Sequence, residues 1–130
     1  MASGARKTVL VVEDNELNMR LFCDLLDAFG FDTLQCRDGA RAVELARTHQ
    51  PALIVMDIQL PEVSGLDITR WIKDDEVTRD IPVLAVTAFA MRADEQLVRE
   101  AGCEAYLSKP IQMRSFRSTV EELVADRQAA

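Results

Sequence analysis

The sequence has little of what most small catalytic sites are built from. Histidine occurs once, and His49 stands near the end of a helix-like segment beside Pro51, far in sequence from every other polar cluster. It reads as a solvated surface residue, so acid–base catalysis by an internal histidine has no agent. Cys23, Cys36 and Cys103 are odd in number, widely spaced and without a Cys-x-x-Cys pair. That excludes a zinc ribbon, a dithiol redox site and a disulfide framework, and it leaves three small reduced hydrophobes. Trp71, the single tryptophan, reads as helix core rather than as a ligand platform. No apolar run approaches the length of a membrane span, and the start, Met1 to Lys7, lacks the apolar centre of a signal peptide. The expectation is a cytoplasmic chain with no membrane insertion. A basic excess is missing too: 22 acidic side chains face 15 basic ones, a net charge of −7. Such a charge opposes sequence-independent binding to nucleic acid or to anionic lipid. Internal repeats, low-complexity tracts and linkers are also absent.

What remains is an ordinary globular composition. With 130 residues, 48% of them hydrophobic and 28% charged, the chain suits one domain with a single core. Short apolar runs alternate with segments of helical period. Thr8 to Val12 is a buried strand closed by Glu13 and Asp14. Asn15 then caps a helix carrying Leu17, Leu21, Phe22, Leu25, Leu26 and Phe29, which Gly30 ends. Phe31 to Cys36 has the mixed pattern of an edge strand, and Asp38 with Gly39 opens a helix with Ala42, Val43 and Ala46. Gly65 starts a third helix with Leu66, Ile68, Trp71 and Ile72 inward. Val83 to Val86 is a fourth strand ending on Thr87, Ala90 to Ala101 a fourth helix, and Glu104 to Leu107 a fifth strand ending at Ser108, Lys109 and Pro110. Met113, Phe116, Val120, Leu123 and Val124 mark a final helix. Strand and helix in strict alternation imply an α/β fold, a parallel sheet with right-handed crossovers and helices on both faces.

The centre of this pattern is Leu53 to Pro61, a buried strand that stops on Asp57. In an open α/β sheet the C-terminal edge of the strands is where ligands bind. Four of the five strands deliver polar residues there: Glu13 and Asp14, Asp57, Thr87, and Lys109. Each has a plain structural role available. Acids after a first strand favour a helix N-terminus, a threonine can end a strand in solvent, and Lys109 could pair loosely with Glu104. Together they suit other chemistry. Clustered carboxylates repel and raise one another's pKa, which a hard divalent cation such as Mg2+ relieves. Magnesium keeps coordination positions for water and a phosphoryl oxygen, and Lys109 with the Thr87 hydroxyl could hold the other oxygens of that group. Asp57 is then the candidate nucleophile, because a carboxylate attacks phosphorus to give an aspartyl phosphate without a general base.

Glu13 and Asp14, Asp57 followed by Ile58, Gln59, Leu60 and Pro61, then Gly65, Thr87 with Ala88, and Lys109 with Pro110 resemble the signature of a response-regulator receiver domain. The resemblance covers residues 7 to 127, leaving tails at 1–6, expected to be disordered, and 128–130. The words Asn15 to Met19 and Thr87 to Met91 are similar to the single-domain DivK type, which regulates division and polarity in alphaproteobacteria.

The resemblance implies a doubly wound five-stranded parallel sheet in order 2-1-3-4-5, flanked by five helices, of the flavodoxin or CheY kind. It implies that Asp57 accepts phosphoryl from a histidine kinase or a histidine phosphotransfer protein. Glu13, Asp14 and Asp57, with the backbone carbonyl of Gln59, would hold Mg2+. Thr87 and Lys109 would sense the phosphoryl group, Tyr106 would be the switch aromatic that turns inward behind Thr87, and the Lys109–Pro110 bond would be cis. By the same resemblance, Gln59 and Phe89 would occupy positions that tune hydrolysis of the aspartyl phosphate. The expected protein is a signalling protein that catalyses only its own phosphorylation and dephosphorylation. Since the receiver takes up nearly the whole chain, output is expected to be binding itself, through a face built from helix four with Met91, Leu97 and Val98, strand five and helix five, while the first helix meets the phosphodonor. Recruitment to membrane-bound kinases is compatible with this. The alternatives are a receiver module from a hybrid histidine kinase, a phosphorelay shuttle and, more distantly, a flavodoxin-like nucleotide or flavin binder. Against the last, the first turn reads Glu13, Asp14, Asn15, Glu16 instead of a Gly- or Ser-rich phosphate cradle. A turnover phosphatase would want an acid where Gln59 stands.

Overall fold

In a computed structural model of the chain, residues 6–60, 63–88 and 92–129 are described. Pro61, Phe89, Ala90 and Met91 lie outside them, as do residues 1–5. The strands are β1 (Thr8–Val12), β2 (Asp32–Cys36), β3 (Leu53–Asp57), β4 (Val83–Thr87) and β5 (Ala105–Ser108). They form one parallel sheet in the order β2-β1-β3-β4-β5. The helices are α1 (Glu16–Ala28), α2 (Ala42–His49), α3 (Gly65–Asp74), α4 (Arg92–Ala101) and α5 (Met113–Ala129), with a 3-10 turn, Gly39–Arg41, ahead of α2. Asp38 Oδ1 caps that turn by accepting from the Ala40 N–H at 3.0 Å, so the predicted helix opening at Asp38 and Gly39 is a tight turn first and an α-helix only from Ala42.

Period-2 alternation in the strands divides the core in two. Leu10, Val12, Ile54 and Met56 face Ala42, Ala46, Ile68, Ile72 and Val98. Val9, Val11, Leu53 and Val55 face Met19, Phe22, Leu26, Phe116, Val120 and Val124. Because helices cover both sides, every residue of β3 and β4 is buried, which is why those strands read as continuous apolar runs instead of alternating ones. The edge strand β2 leaves Asp32 and Gln35 exposed.

Three helix faces differ from the expected ones. On α1 the buried stripe is Met19, Phe22 and Leu26, while Leu17 is 80% and Leu21 43% exposed. On α3 the buried residues are Gly65, Ile68, Thr69 and Ile72, and Trp71 is 48% exposed instead of inward. The Thr69 hydroxyl is satisfied by donating to the Gly65 carbonyl at 2.8 Å, so a polar residue takes the core-facing place. On α5 Met113 is exposed, and Phe116 anchors the helix against Phe22 and Phe29 at ring separations of 5.5 and 6.0 Å.

Candidate functional site

The C-terminal edge of the sheet gathers the polar strand ends. Val12 pairs in register with Met56, and Asp57 with Val86, so Glu13, Asp57 and Thr87 leave neighbouring strands at one level. All three are buried, Glu13 at 1% exposure, Asp57 at 3% and Thr87 at 2%. Asp14 stands exposed at the rim. Carboxylate oxygens of Glu13, Asp14 and Asp57 all lie within 4.8 Å of one another, the arrangement a cation site needs.

Lys109 answers this charge from the end of β5. Its Nζ is 3.4 Å from Glu13 Oε1 and 3.7 Å from Asp57 Oδ2, so one ammonium straddles two carboxylates without closing tightly on either. The Lys109–Pro110 peptide bond is cis, and the Lys109 N–H donates to the Thr87 carbonyl at 2.7 Å, tying the two strand exits together. The expected pairing of Lys109 with Glu104 is not formed: Glu104 pairs with Lys73 at the other end of the sheet.

The two buried acids are held differently. Glu13 Oε2 accepts from the Asn15 N–H at 3.1 Å, yet burial and then the neighbouring Asp57 push its carboxyl from 4.5 up to about 7. Asp57 Oδ1 accepts from the backbone N–H of Gln59 at 2.9 Å, which fixes the carboxylate and leaves Oδ2 on the side of Lys109. Behind it, α3 comes so close that a side-chain carbon on Gly65 would collide with the Asp57 carbonyl, and the Gly65 N–H donates to Ile58 O at 3.0 Å. Only glycine fits that approach. Oxygen-only donors with more negative than positive charge fit a hard divalent cation that keeps part of its water shell.

Two contacts here have no counterpart in the sequence reading. The Gln59 side chain accepts from the Ala88 N–H at 3.1 Å, joining the loop after β3 to the residue after Thr87 across 29 positions. Tyr106, in register with Ala85, is half-buried and packs with the α2–α3–α4 side of the core, lining a cleft of about 340 Å3 with Val98, Arg99 and Cys103. Its ring is therefore on the α4 side of the sheet rather than among the acids.

Residues 9–121 match the sequence profile of the response regulator receiver domain. The chain belongs to the response-regulator receiver family. Its curated relatives include the polar-differentiation response regulator DivK of Brucella ovis, 58% identical over 120 residues, which covers 92% of this chain and 98% of the relative. The same protein of Brucella anthropi matches equally well, also at 58% over 92% of this chain and 98% of the relative. The receiver is thus a DivK-like response regulator of two-component signalling. Among solved structures, the receiver domain of a Pseudomonas aeruginosa sensor histidine kinase superposes with a TM-score of 0.86 at 30% identity, over 93% of this chain and 99% of that one. That structure has a magnesium ion coordinated in its active-site cleft. A Vibrio cholerae CheY4 structure, 20% identical with a TM-score of 0.86 over 92% of this chain and 99% of that one, shares the fold. Among the described residues no helix is long and apolar enough to cross a membrane.

Proposed function

We propose that this receiver accepts a phosphoryl group on Asp57 from the phosphohistidine of a histidine kinase or histidine phosphotransfer protein, with Mg2+ as cofactor, and signals through phosphorylation-dependent protein binding in cell-division or polarity control. The observation that carries the proposal is the asymmetric setting of Asp57, buried, with Oδ1 engaged by the Gln59 N–H and Oδ2 toward Lys109. Oδ2 is then the attacking atom. Its bond to phosphorus forms in line as the P–N bond of the donor breaks, and the donor's imidazole leaves with that electron pair. The Lys109 ammonium and the Thr87 hydroxyl stabilise the phosphoryl oxygens, and Lys109 gives up its loose contacts to do so.

Glu13, Asp14 and Asp57, with the Gln59 carbonyl, would hold the magnesium ion. Bound there, Mg2+ supplies the positive charge that lets two anions approach. The raised carboxyl of Glu13 supports this reading, because a buried acid among acids gives up its proton more readily when a cation replaces it. The DivK-like relatives support the cell-polarity assignment.

Incubating the chain with Mg2+ and a small acyl phosphate tests the chemistry. Stoichiometric, hydroxylamine-sensitive labelling that disappears in Asp57→Asn is expected, and many turnovers per site would overturn it. Output through the α4–β5–α5 face is tested separately. Tyr106→Ala should label normally yet lose the difference between phosphorylated and free protein in partner binding.

A further inference from the structure

Gln59 uses both of its hydrogen-bonding ends inside the site. Its backbone N–H donates to Asp57 Oδ1 at 2.9 Å, and its side chain meets the Ala88 N–H at 3.1 Å. Since Ala88 supplies a donor, the atom it meets is the amide oxygen of Gln59 and not the amide nitrogen. One residue therefore links the carboxylate at the end of β3 to the backbone just past β4. An anion arriving on Asp57 Oδ2 enters the crevice between those strand ends and needs donors there. Of the nitrogen donors described at this edge, the Gln59 N–H is committed to Oδ1, Lys109 is shared between Glu13 and Asp57, and the Ala88 N–H is capped by Gln59.

We propose that the Gln59 amide oxygen is a placeholder for a phosphoryl oxygen: it occupies the Ala88 N–H in the free receiver and withdraws when the phosphoryl group takes that donor. This rests on the assignment of Asp57 as phosphoacceptor. Gln59 is on this account a positioning residue that makes phosphoryl binding and movement of the chain after Thr87 a single exchange of acceptors. Capping lowers affinity for the phosphoryl group, because one hydrogen bond must break before the other forms. A neutral hydrogen bond is worth roughly a two- to tenfold change in an equilibrium constant.

The test uses the full chain, 15N-labelled, titrated with beryllofluoride in Mg2+ as a phosphoryl mimic. Gln59→Met keeps the length of the side chain and removes the acceptor, and Gln59→Ala removes it by truncation. Both retain the backbone N–H and carbonyl. Both variants should bind the mimic about two- to tenfold more tightly than wild type. The Ala88 amide resonance should differ between wild type and variants when free, and coincide when the mimic is bound. A merely structural role for Gln59 would leave the bound-state signals different and the affinity lower. Equal or weaker binding by both variants overturns the placeholder while leaving Asp57 as acceptor. Wild-type protein that fails to bind the mimic, or binds it equally as Asp57→Asn, overturns the phosphoacceptor assignment and the placeholder with it.

Discussion

A lysine meets a glutamate at each end of this sheet, and the two meetings are unlike. At the N-terminal ends of β4 and β5, Lys73 Nζ donates to Glu104 Oε2 and to the Ile81 carbonyl, both at 2.8 Å, and to the Arg79 carbonyl at 3.2 Å. Glu104 uses its other oxygen to accept from the Val83 N–H at 2.8 Å. All three protons of the ammonium are engaged, and both oxygens of the acid. At the C-terminal ends, Lys109 reaches Glu13 at 3.4 Å and Asp57 at 3.7 Å, against three gathered carboxylates. The saturated pair has nothing left to give a ligand. The loose one has too much negative charge and one underused cation, the condition under which an incoming cation and an incoming phosphoryl group both find favourable contacts. Residue type alone does not separate structure from function here; the completeness of the hydrogen bonding does.

The sharpest way to break this contrast is to remove each lysine in turn. Lys109→Gln should slow labelling of Asp57 by a small phosphodonor roughly a hundredfold, as loss of one preorganised charge-stabilising donor does elsewhere, while leaving the urea midpoint near that of wild type. Lys73→Met should do the reverse. Stability falls by about 2 kcal/mol, because the carbonyls of Arg79 and Ile81 and the carboxylate of Glu104 lose their donor, and labelling stoichiometry is retained. If Lys73→Met abolished labelling in protein that is still folded, the division of labour between the two ends would be wrong.

Sequence placed the strands and their polar exits because continuous apolar runs and terminal acids are local signals. Helix faces were less legible. On α1 two stripes compete, Leu17–Leu21–Leu25 and Met19–Phe22–Leu26, and it is the second that packs on the sheet and on residues as distant in sequence as Phe116 of α5. Trp71 stands outward on α3 and Thr69 takes a core-facing place, its hydroxyl satisfied by the Gly65 carbonyl one turn earlier. At the site, residue identities were readable. The caps and tethers were not: Lys109 to Glu13 and Gln59 to Ala88 span 96 and 29 residues, and neither contact leaves a periodic trace.

Acidity sharpens the comparison further. Glu13 holds its proton more firmly in the folded chain, up to about 7 from 4.5, than it does when unfolded. Its contribution to stability is therefore full below 4.5 and is lost as pH rises through about 7. Metal-free protein should show a urea midpoint that falls across that window. Glu13→Gln should flatten the fall, and Mg2+ should reverse it at the upper end. A profile identical in Glu13→Gln would assign the slope to other acids. The smallest effect concerns the thiols. Burial pushes Cys103 up to about 11 and raises Cys36 as well, so at neutral pH both should resist an alkylating reagent. The half-buried Cys23 should be modified before either. Mass spectrometry of peptides from briefly treated, folded protein gives the order.

The close approach at Gly65 has a consequence for how this chain tolerates change. The backbone leaves β3 at Ile58 and is bolted back to the same residue by the Gly65 N–H, so the intervening arch is closed at its base. Side-chain changes at Gln59, the first residue of that arch, keep the backbone N–H on Asp57 Oδ1 and so are compatible with the position of the acid. A single methyl group on Gly65 is not, since it would wedge α3 away from the Asp57 carbonyl. A residue with no side chain at all thus sets how closely α3 can approach Asp57.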